Sequence, residues 1–467
     1  MKKQKDYLHY TPEDGWFGDP MPLYHDGIYH IYYTKLHPTN RLVWGHISSR
    51  DLIHYTEHPD PFTLDAPNSP RNTGCVFWGE GKFHAYYALY SEETGRYGMY
   101  HCESGDGILF TRQPELCFER PEQWYQQDGT FRDPFVFFDS DSGLYRMVFC
   151  AKEKREGDSA DFFSGTVGQA VSRDLKIWER LPPLKITGVA TTMECPEIYR
   201  DGDRWVLIYY WRETRFRTAA ALDGLWERGA VISPDHFDFM AGRHLFDGRR
   251  HLLFGWIPRR DCDCGERIWG GHMLFPRELR MEDGRTPKTR FAREITRLFS
   301  RKDGNILPEK AILCGEKVEA DGNGLHFAPV KGGCMALWES LADCCYIQMD
   351  IVMSSSWGTV SILLGNQGKT EKGYALHIDP SEGVIRLRRH YEWDQSGEIA
   401  EVPCRCAAGR KIRLEILRHD QILEVCVNTE QTLVSRLLED SAGGMAIAVW
   451  DCDAWISDLH VYTRDGN

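Results

Sequence analysis

Five glycine-centred turns recur along the first part of the chain, and they constrain its fold more than any other feature. Each turn is followed by an apolar run rich in aromatic and branched residues, and they lie at Gly27, Gly81, Gly143, Gly202 and Gly248. A short strand, a Gly/Asp turn and a second strand predict a β-hairpin. Hairpin units repeated roughly every 45–60 residues are typical of a β-propeller with four-stranded blades. We therefore predict five blades, with ordinary hairpins in another all-β fold as the alternative.

Acidic residues recur near the start of these units. The residue eight positions before the turn glycine is Asp19, Thr73, Glu194 or Met240, and its counterpart in the third unit is Asp133, ten before the glycine. Three of these five residues are acidic, in the segments "GDP", "RDP" and "ECP". The innermost strands of a propeller line its central channel. Carboxylates at one register of three units would therefore face one pocket.

The chain changes character after about residue 312. The segments "CYIQMDIVMSSSWGTVSILLG" and "KIRLEILRHDQILEVCVN" alternate apolar and polar residues with turns between them. This pattern predicts a β-sandwich. We expect an all-β chain with two domains, a five-bladed β-propeller catalytic domain over residues 1–300 and a C-terminal β-sandwich domain over residues 312–467. The charged segment 280–311 between them is interpreted as a linker with at most one short helix.

Composition excludes several classes of function. The net charge of −13, from 69 acidic and 56 basic residues, argues against nucleic-acid binding, which needs a basic face. No apolar run is long enough to span a membrane, and the N-terminus lacks the apolar stretch of a signal peptide. Fifteen scattered cysteines favour a reduced, cytoplasmic protein. The pairs Cys262/Cys264 and Cys404/Cys406 have the wrong spacing for a zinc knuckle, so we expect no metal and no cofactor.

Five segments, in order, resemble glycoside hydrolase family 32, which contains invertases, levanases, inulinases and related fructosyltransferases. "WFGDP", "FRDP" and "ECPE" resemble its three acidic blocks, and "VWGHISSRDLIHY" resembles its W-G-H-x-x-S-x-D-L-x-x-W segment. "GW" at 255–256 with "FPREL" at 275–279 resembles the end of its catalytic domain. The resemblance covers the chain, because the family also carries a C-terminal β-sandwich.

The resemblance implies a role for each carboxylate. Asp19 would be the nucleophile, Glu194 the general acid/base, and Asp133 the transition-state stabiliser beside Arg132. Retaining glycosidases use a nucleophile and an acid/base in this way. Burial and neighbouring negative charges would raise the pKa of Glu194, which has to hold a proton near neutral pH. Arg132 would also keep Asp133 charged as its ion-pair partner.

Further residues are candidates for contact with a sugar. Aromatic rings pack on the C–H faces of carbohydrates, so Trp16, Trp44, Trp78 and Trp256 could form pocket walls, although most of the 15 tryptophans are expected in the core. Asp235 and Asp238 resemble an acidic loop of the family that contacts substrate; a solvated turn is the alternative. Cys195 follows the acid/base and is interpreted as a small neutral packing residue, not a nucleophile.

The chain departs from the family pattern around the nucleophile. The family usually reads W-M-N-D-P-N-G, whereas this chain has Gly18 and Met21–Pro22 around Asp19. A glutamine common in the next strand is Thr34, and the F-S-G-S block is reduced to "NTGC". We predict a retaining exo-glycosidase that releases terminal β-D-fructofuranosyl groups from small oligosaccharides, with sucrose a poor substrate. The alternatives are a fructosyltransferase, a non-catalytic sugar-binding propeller, and a related five-bladed family acting on arabinosides or xylosides.

Overall fold

The computed structural model shows an all-β protein, as the sequence predicts. It describes residues 5–6, 8–62, 70–113, 117–127, 130–154, 164–186, 192–228, 235, 237–261, 266–315, 317–322, 324–329, 332–366, 373–389, 398–404, 406–437 and 443–464. The chain divides into two compact units. The first unit holds residues up to 233 with 239–259 and 268–287, and the second holds 234–238, 260–267 and 288–467.

Each of the five glycine turns joins two antiparallel strands in the first unit. The five hairpins are Trp16–His25 with Ile28–Leu36, Cys75–Gly79 with Lys82–Ser91, Arg132–Asp139 with Leu144–Lys152, Glu194–Asp201 with Arg204–Trp211, and Met240–Phe246 with His251–Arg260. All five turn glycines have positive φ, for example 74° at Gly27. Glycine adopts this backbone conformation without steric cost, which explains its recurrence at these turns.

Further strands extend each hairpin into a larger group of paired strands. We call each group a module and number the modules 1 to 5 in chain order. Module 1 adds Leu42–Ser49, His54–Glu57 and Lys5–Asp6; module 2 adds Arg96–Ser104, Thr111–Arg112 and Phe118–Glu119; module 3 adds Gly165–Ser172 and Trp178–Leu181; module 4 adds Glu213–Ala219 and Glu227–Arg228; module 5 adds Arg267–Met273, Arg277–Glu282 and Thr286–Phe291. Modules 2, 3 and 4 are separate sheets, whereas modules 1 and 5 join through the pairing of Phe17 with Gly271.

Apolar residues on adjacent modules pack together. Phe131, Val136 and Phe149 of the third hairpin region lie in one cluster with Tyr86 and Met99 of module 2. A second cluster joins module 3 to module 4. The large, nearly inaccessible side chains of these clusters fill the space between neighbouring sheets, so each module is stabilised mainly by its neighbours.

Two larger sheets make up most of the second unit. One contains Val318–Asp321, Gly324–Phe327, Ala454–Thr463, Cys344–Met353, Lys411–His419, Ile422–Val427 and Gln431–Arg436, with Arg301–Lys302 paired to Ala454–Thr463. The other contains Ile312–Cys314, Gly333–Trp338, Gly444–Trp450, Thr359–Asn366, Tyr374–Asp379, Val384–Arg389 and Glu398–Pro403. Alternate residues of both sheets, such as Ile347, Met349 and Ile351 in the first and Val360 and Ile362 in the second, belong to one apolar core.

The segment for which the sequence predicts a linker contains regular structure. It begins within strand Arg277–Glu282 and includes Thr286–Phe291, one short helix, Ile295–Leu298, and the 3₁₀ turn Pro308–Lys310. The charged residues of this segment wrongly suggest an exposed linker. Lys288, for example, buries its aliphatic stem while its ammonium group pairs with Glu430 at 2.9 Å. Among the described residues, no helix is long and apolar enough to cross a bilayer.

Candidate active site

A β-bulge interrupts the first strand of four modules near the start of that strand. In modules 1, 3, 4 and 5 the strand register shifts so that two residues oppose one, and the bulged pairs are Gly18–Asp19, Asp133–Pro134, Cys195–Pro196 and Ala241–Gly242. Asp133, Cys195 and Ala241 have positive φ values of 56°, 49° and 46°. Residues other than glycine rarely adopt this backbone conformation, and such backbone strain is concentrated at functional sites.

The bulges correct the expectation that the three carboxylates occupy one equivalent position. Asp19 is the second residue of its bulge, Asp133 is the first, and Glu194 directly precedes its bulge. Counting back from the turn glycine misses this difference, because the strand length between bulge and turn and the place of the glycine in the turn both vary. Residues 20–25 lead to Gly27, the second turn residue, whereas residues 197–201 lead to Gly202, the first. The three side chains nevertheless line one cavity.

Asp19 is held by two side-chain donors from other modules. The Thr73 hydroxyl donates to Asp19 Oδ2 at 2.6 Å, and Trp256 Nε1 donates to Asp19 Oδ1 at 2.9 Å. Thr73 and Trp256 are themselves buried. Two fixed donors, one on each oxygen, restrict rotation of the carboxylate and so orient it within the cavity.

Asp133 and Glu194 share one arginine. Arg132 Nη2 donates to Glu194 Oε1 at 2.6 Å, and its Nε lies 3.6 Å from Asp133 Oδ2. The backbone N–H of Cys195 donates to Asp133 Oδ2 at 3.0 Å. The positive φ at Cys195 accompanies this contact, so the bulge of module 4 supplies a backbone donor to the carboxylate of module 3.

Burial shifts the titration of both carboxyl groups. Burial raises the pKa of Glu194 above its ordinary value, Arg132 opposes this shift, and Asp133 and Asp19 add to it. Burial also raises the pKa of Asp133, again opposed by Arg132. A carboxyl group with a raised pKa in a cleft can hold a proton for transfer, which is the property of a general acid.

The cavity has a volume of about 270 Å³. Besides the carboxylates and Arg132 it is lined by Thr34, Leu42, Asn72, Thr73, Cys195, Tyr210, Met240, Ala241, Trp256 and Trp269, all of the first unit. Thr34, Thr73, Cys195, Ala241 and Trp256 are buried, whereas Leu42, Asn72, Tyr210, Met240 and Trp269 are half-buried. Of the described lining residues, only Arg132 carries a positive charge.

The tryptophans predicted as sugar contacts lie in different environments. Trp256 lines the cavity. Trp44 is buried in the core and donates to the carbonyl of Asn72, a lining residue. Trp78 stacks on His25 at 3.8 Å, and Trp16 lies beneath the guanidinium of Arg259 at 4.1 Å. The described lining residues do not include Trp16, Trp44 or Trp78, so substrate contact by these three stays a prediction.

Asp235 and Asp238 belong to the second unit. Asp235 accepts a hydrogen bond of 2.7 Å from Thr432. Asp238 accepts from Arg260 at 2.7 and 2.8 Å and from Arg267 at 3.0 Å. Both aspartates are almost fully buried, so the alternative of a solvated turn does not describe them. Their contact with substrate stays a prediction.

One group of side chains in the described part of the chain could hold a metal ion, which the sequence does not anticipate. It consists of His84, His101 and Glu103. His84 Nδ1 lies 2.8 Å from His101 Nε2, and a similar histidine pair occurs in module 1 between His30 and His46 at 3.1 Å. Hydrogen bonding within each pair accounts for both pairs without a metal. Cys262 and Cys264 lie outside the described residues.

The sequence analysis does not identify several residues that line the cavity. Thr73 and Met240 stand eight residues before their turn glycines, so the repeat could have identified them. Trp269 and Tyr210 have no such signal. Trp269 lies in the third strand of module 5, and only the fold places it beside the first strand of module 1.

Comparison with known proteins places the chain among sugar-cleaving enzymes. Residues 9–290 match the sequence model of the glycosyl hydrolases family 32 N-terminal domain. The chain is 24% identical over 374 residues to a sucrose-6-phosphate hydrolase of Vibrio alginolyticus, covering 70% of this chain and 72% of the relative. It is 26% identical over 317 residues to a raffinose invertase of Escherichia coli, covering 60% of this chain and 63% of the relative, slightly less than two thirds of its length.

Solved structures with little sequence identity share the fold. Sucrose-6-phosphate hydrolase from Lactobacillus gasseri superposes with a TM-score of 0.76 at 15% identity, covering 99% of this chain and 93% of that one. Fructan 1-exohydrolase IIa from Cichorium intybus, solved with 1-kestose, gives a TM-score of 0.72 at 16% identity, covering 99% and 98%. The fold is therefore common to both, and it extends over nearly the whole chain.

Proposed function

The chain belongs to glycosyl hydrolase family 32, and on that premise we propose that it is a retaining exo-glycosidase that hydrolyses terminal β-D-fructofuranosides of small oligosaccharides. The observation that carries the proposal is the convergence of Asp19, Asp133 and Glu194, from three modules, on one cavity with a single lining arginine. Relatives named for the hydrolysis of sucrose 6-phosphate and the cleavage of raffinose support the substrate class.

We assign the roles from the environment of each carboxylate. Glu194, whose pKa is raised by burial, protonates the glycosidic oxygen as the bond to the leaving group breaks. Asp19, oriented by Thr73 and Trp256, attacks the anomeric carbon from the opposite side and forms a glycosyl-enzyme ester. Glu194 then removes a proton from water, which hydrolyses the ester. Asp133 hydrogen-bonds the sugar hydroxyls while positive charge develops on the ring.

The five modules would form the blades of a five-bladed β-propeller, with the catalytic domain over residues 1–300. The two sheets of the second unit would form a β-sandwich over residues 312–467. Support for the propeller comes from the repeated hairpins and from apolar clusters that join neighbouring modules. Support for the sandwich comes from the single core to which both large sheets contribute alternate residues.

The size and charge of the cavity narrow the substrate. A volume of about 270 Å³ is slightly below the roughly 300–1,000 Å³ of ligand pockets in general, which fits one sugar unit and therefore exo cleavage. Arg132, the only cation among the described lining residues, already contacts Glu194 and Asp133. A phosphate on the terminal sugar would enter a site with a surplus of negative charge, so we propose that the glycosyl group bound in the cavity is neutral.

A substrate panel tests the proposal. The full chain is incubated with sucrose, sucrose 6-phosphate, inulin-type and levan-type oligosaccharides, and aryl arabinofuranosides and xylosides, and products are separated by chromatography. We expect free fructose from a neutral fructoside, with sucrose at least about tenfold poorer in kcat/KM than the best oligosaccharide, a gap near 1.4 kcal/mol. Release of arabinose or xylose alone would contradict the substrate class. Fructose transferred to sugar acceptors, without free fructose, would indicate a transferase.

A further inference from the structure

Glu197 and Arg243 form a buried ion pair next to two of the bulges. Glu197 is the first paired residue after the bulge Cys195–Pro196, and Arg243 is the first after the bulge Ala241–Gly242. Arg243 Nε donates to Glu197 Oε1 at 2.5 Å, and both side chains are 1% exposed. Neither is among the described lining residues of the cavity. Burying two charges is costly, and apolar side chains of similar volume often stabilise a fold equally well, so stability alone does not explain the pair.

The guanidinium of Arg243 also contacts the backbone beside a donor to Asp19. Arg243 Nη2 donates to the carbonyl of Gly74 at 3.2 Å. Gly74 directly follows Thr73, whose hydroxyl donates to Asp19 Oδ2 at 2.6 Å. The contact therefore holds in place the segment of module 2 that orients Asp19.

Glu197 connects the same arginine to the backbone donor of Asp133. Its second oxygen, Oε2, accepts from the backbone N–H of His244 at 2.5 Å, so its two oxygens bind adjacent residues of module 5. Two residues before Glu197, the N–H of Cys195 donates to Asp133 Oδ2 at 3.0 Å. The carboxylate of Glu197 therefore ties the bulge of module 4 to module 5.

We propose that Arg243 is a positioning residue for the catalytic carboxylates. Its bond to Gly74 fixes the hydroxyl donor of Asp19. Its pairing with Glu197 fixes the backbone donor of Asp133. An arginine suits this role, because its planar guanidinium can bind two acceptors in a fixed geometry. The inference rests on the proposed function, since it assumes that these carboxylates act on a glycoside.

Two variants separate positioning from stability. Arg243→Met leaves Glu197 as an unpaired buried charge and should lower both the unfolding midpoint and kcat. The double variant Arg243→Met/Glu197→Met replaces the pair with apolar side chains, which should restore the midpoint. We expect its kcat on the glycoside that the wild type hydrolyses best to stay about 10²-fold below the wild-type value, with KM changed much less, because the carboxylates are misplaced. A double variant with wild-type kcat would overturn the proposal.

Arg146 and Asp139 of module 3 provide a matched control pair. Both are buried, Arg146 Nε lies 2.8 Å from Asp139 Oδ2, and neither is among the described lining residues of the cavity. Arg146→Met should lower the unfolding midpoint and leave kcat unchanged. A loss of kcat in Arg146→Met as large as in Arg243→Met would make that loss a general result of destabilisation and would overturn the proposal.

Crystal structures of the wild type and the double variant test the geometry without substrate. The distances to compare are 2.6 Å between Thr73 Oγ1 and Asp19 Oδ2 and 3.0 Å between Cys195 N and Asp133 Oδ2. We expect at least one of them to lengthen by about 0.5 Å or more in the double variant. No change at either contact would overturn the proposal. If the wild type hydrolyses no glycoside, the proposed function fails, and these distances still decide the role of Arg243.

Discussion

Asp133 in the first unit and Asp238 in the second are both almost fully buried aspartates, yet their charges are balanced in opposite ways. Asp238 accepts hydrogen bonds from two arginines, Arg260 and Arg267. Asp133 shares Arg132 with Glu194. A carboxylate with two cations is stabilised in its ionised form, whereas carboxylates that share one cation in a desolvated cavity have raised pKa values.

We propose that the difference separates a structural site from a catalytic one. Asp238 is paired with two arginines of its own unit, and this pairing stabilises the fold of that unit. In the proposed mechanism, burial and the neighbouring carboxylates raise the pKa of Glu194, as acid catalysis requires, although this burial costs stability. Substitutions at the two sites should therefore affect different properties.

The largest effect is expected for Asp19→Ala. Loss of the nucleophile should lower kcat by about 10⁴-fold or more, because no other described carboxylate is held by Thr73 and Trp256. The unfolding midpoint should change little, since Asp19 lies at a bulge and is not part of an apolar cluster. An Asp19→Ala protein with substantial activity would remove it as the nucleophile.

The second-largest effect is expected for Glu194→Gln, and its loss of turnover should depend on the leaving group. Without a proton donor, turnover of an oligosaccharide should fall by about 10²–10⁴-fold. The first step on an activated donor such as a fructosyl fluoride should lose much less, because its leaving group needs no protonation. Rates on both donors, measured for wild type and variant, decide the role; equal losses would contradict it.

Asp238→Asn should affect stability instead of catalysis. Weakening the contacts with Arg260 and Arg267 should lower the free energy of unfolding by about 1–3 kcal/mol, with the smaller value favoured by the partial exposure of both arginines. We expect kcat/KM to stay nearly unchanged. Denaturant unfolding and kinetics on the same sample test this. A large loss of kcat/KM at unchanged stability would make Asp238 a substrate contact.

The smallest effect is a shift in pH dependence for Arg132→Gln. Arg132 opposes the rise in the pKa of Glu194, so its removal should raise that pKa further. Catalysis needs Glu194 protonated, and activity is lost as pH rises through its pKa. The alkaline limb of the kcat/KM profile should therefore move to higher pH. A limb that moves to lower pH would contradict the assigned charge arrangement.

The sequence predicted the elements of the fold because each hairpin carries local information. A turn such as Asp26–Gly27 requires positive φ, and alternation in strands such as Cys344–Met353 indicates the buried face. Short segments next to the turns likewise predict that the three carboxylates share one pocket, and all three line one cavity. The linker interpretation of segment 280–311 is wrong in its strands, although one short helix is present, because a lysine with a buried stem has the same sequence signature as an exposed one.

Long-range packing could not be predicted from such local sequence patterns. Trp269 and Gly18 are far apart in sequence, and neither carries a pattern that links it to the other. The positions of Asp19, Asp133 and Glu194 relative to their bulges depend on pairing with the next strand. Trp44 lies in a segment that resembles the family, whereas its burial depends on the apolar core around it.

The most direct test of the account is the identification of a covalent intermediate. Glu194→Gln protein is treated with a β-D-fructosyl fluoride and examined by intact mass spectrometry and peptide mapping. The account predicts a mass increase of one fructosyl group, located on Asp19, because the first step proceeds while hydrolysis of the ester is slowed. An adduct on another residue, or no adduct while wild-type enzyme releases fructose with inverted anomeric configuration, would contradict it.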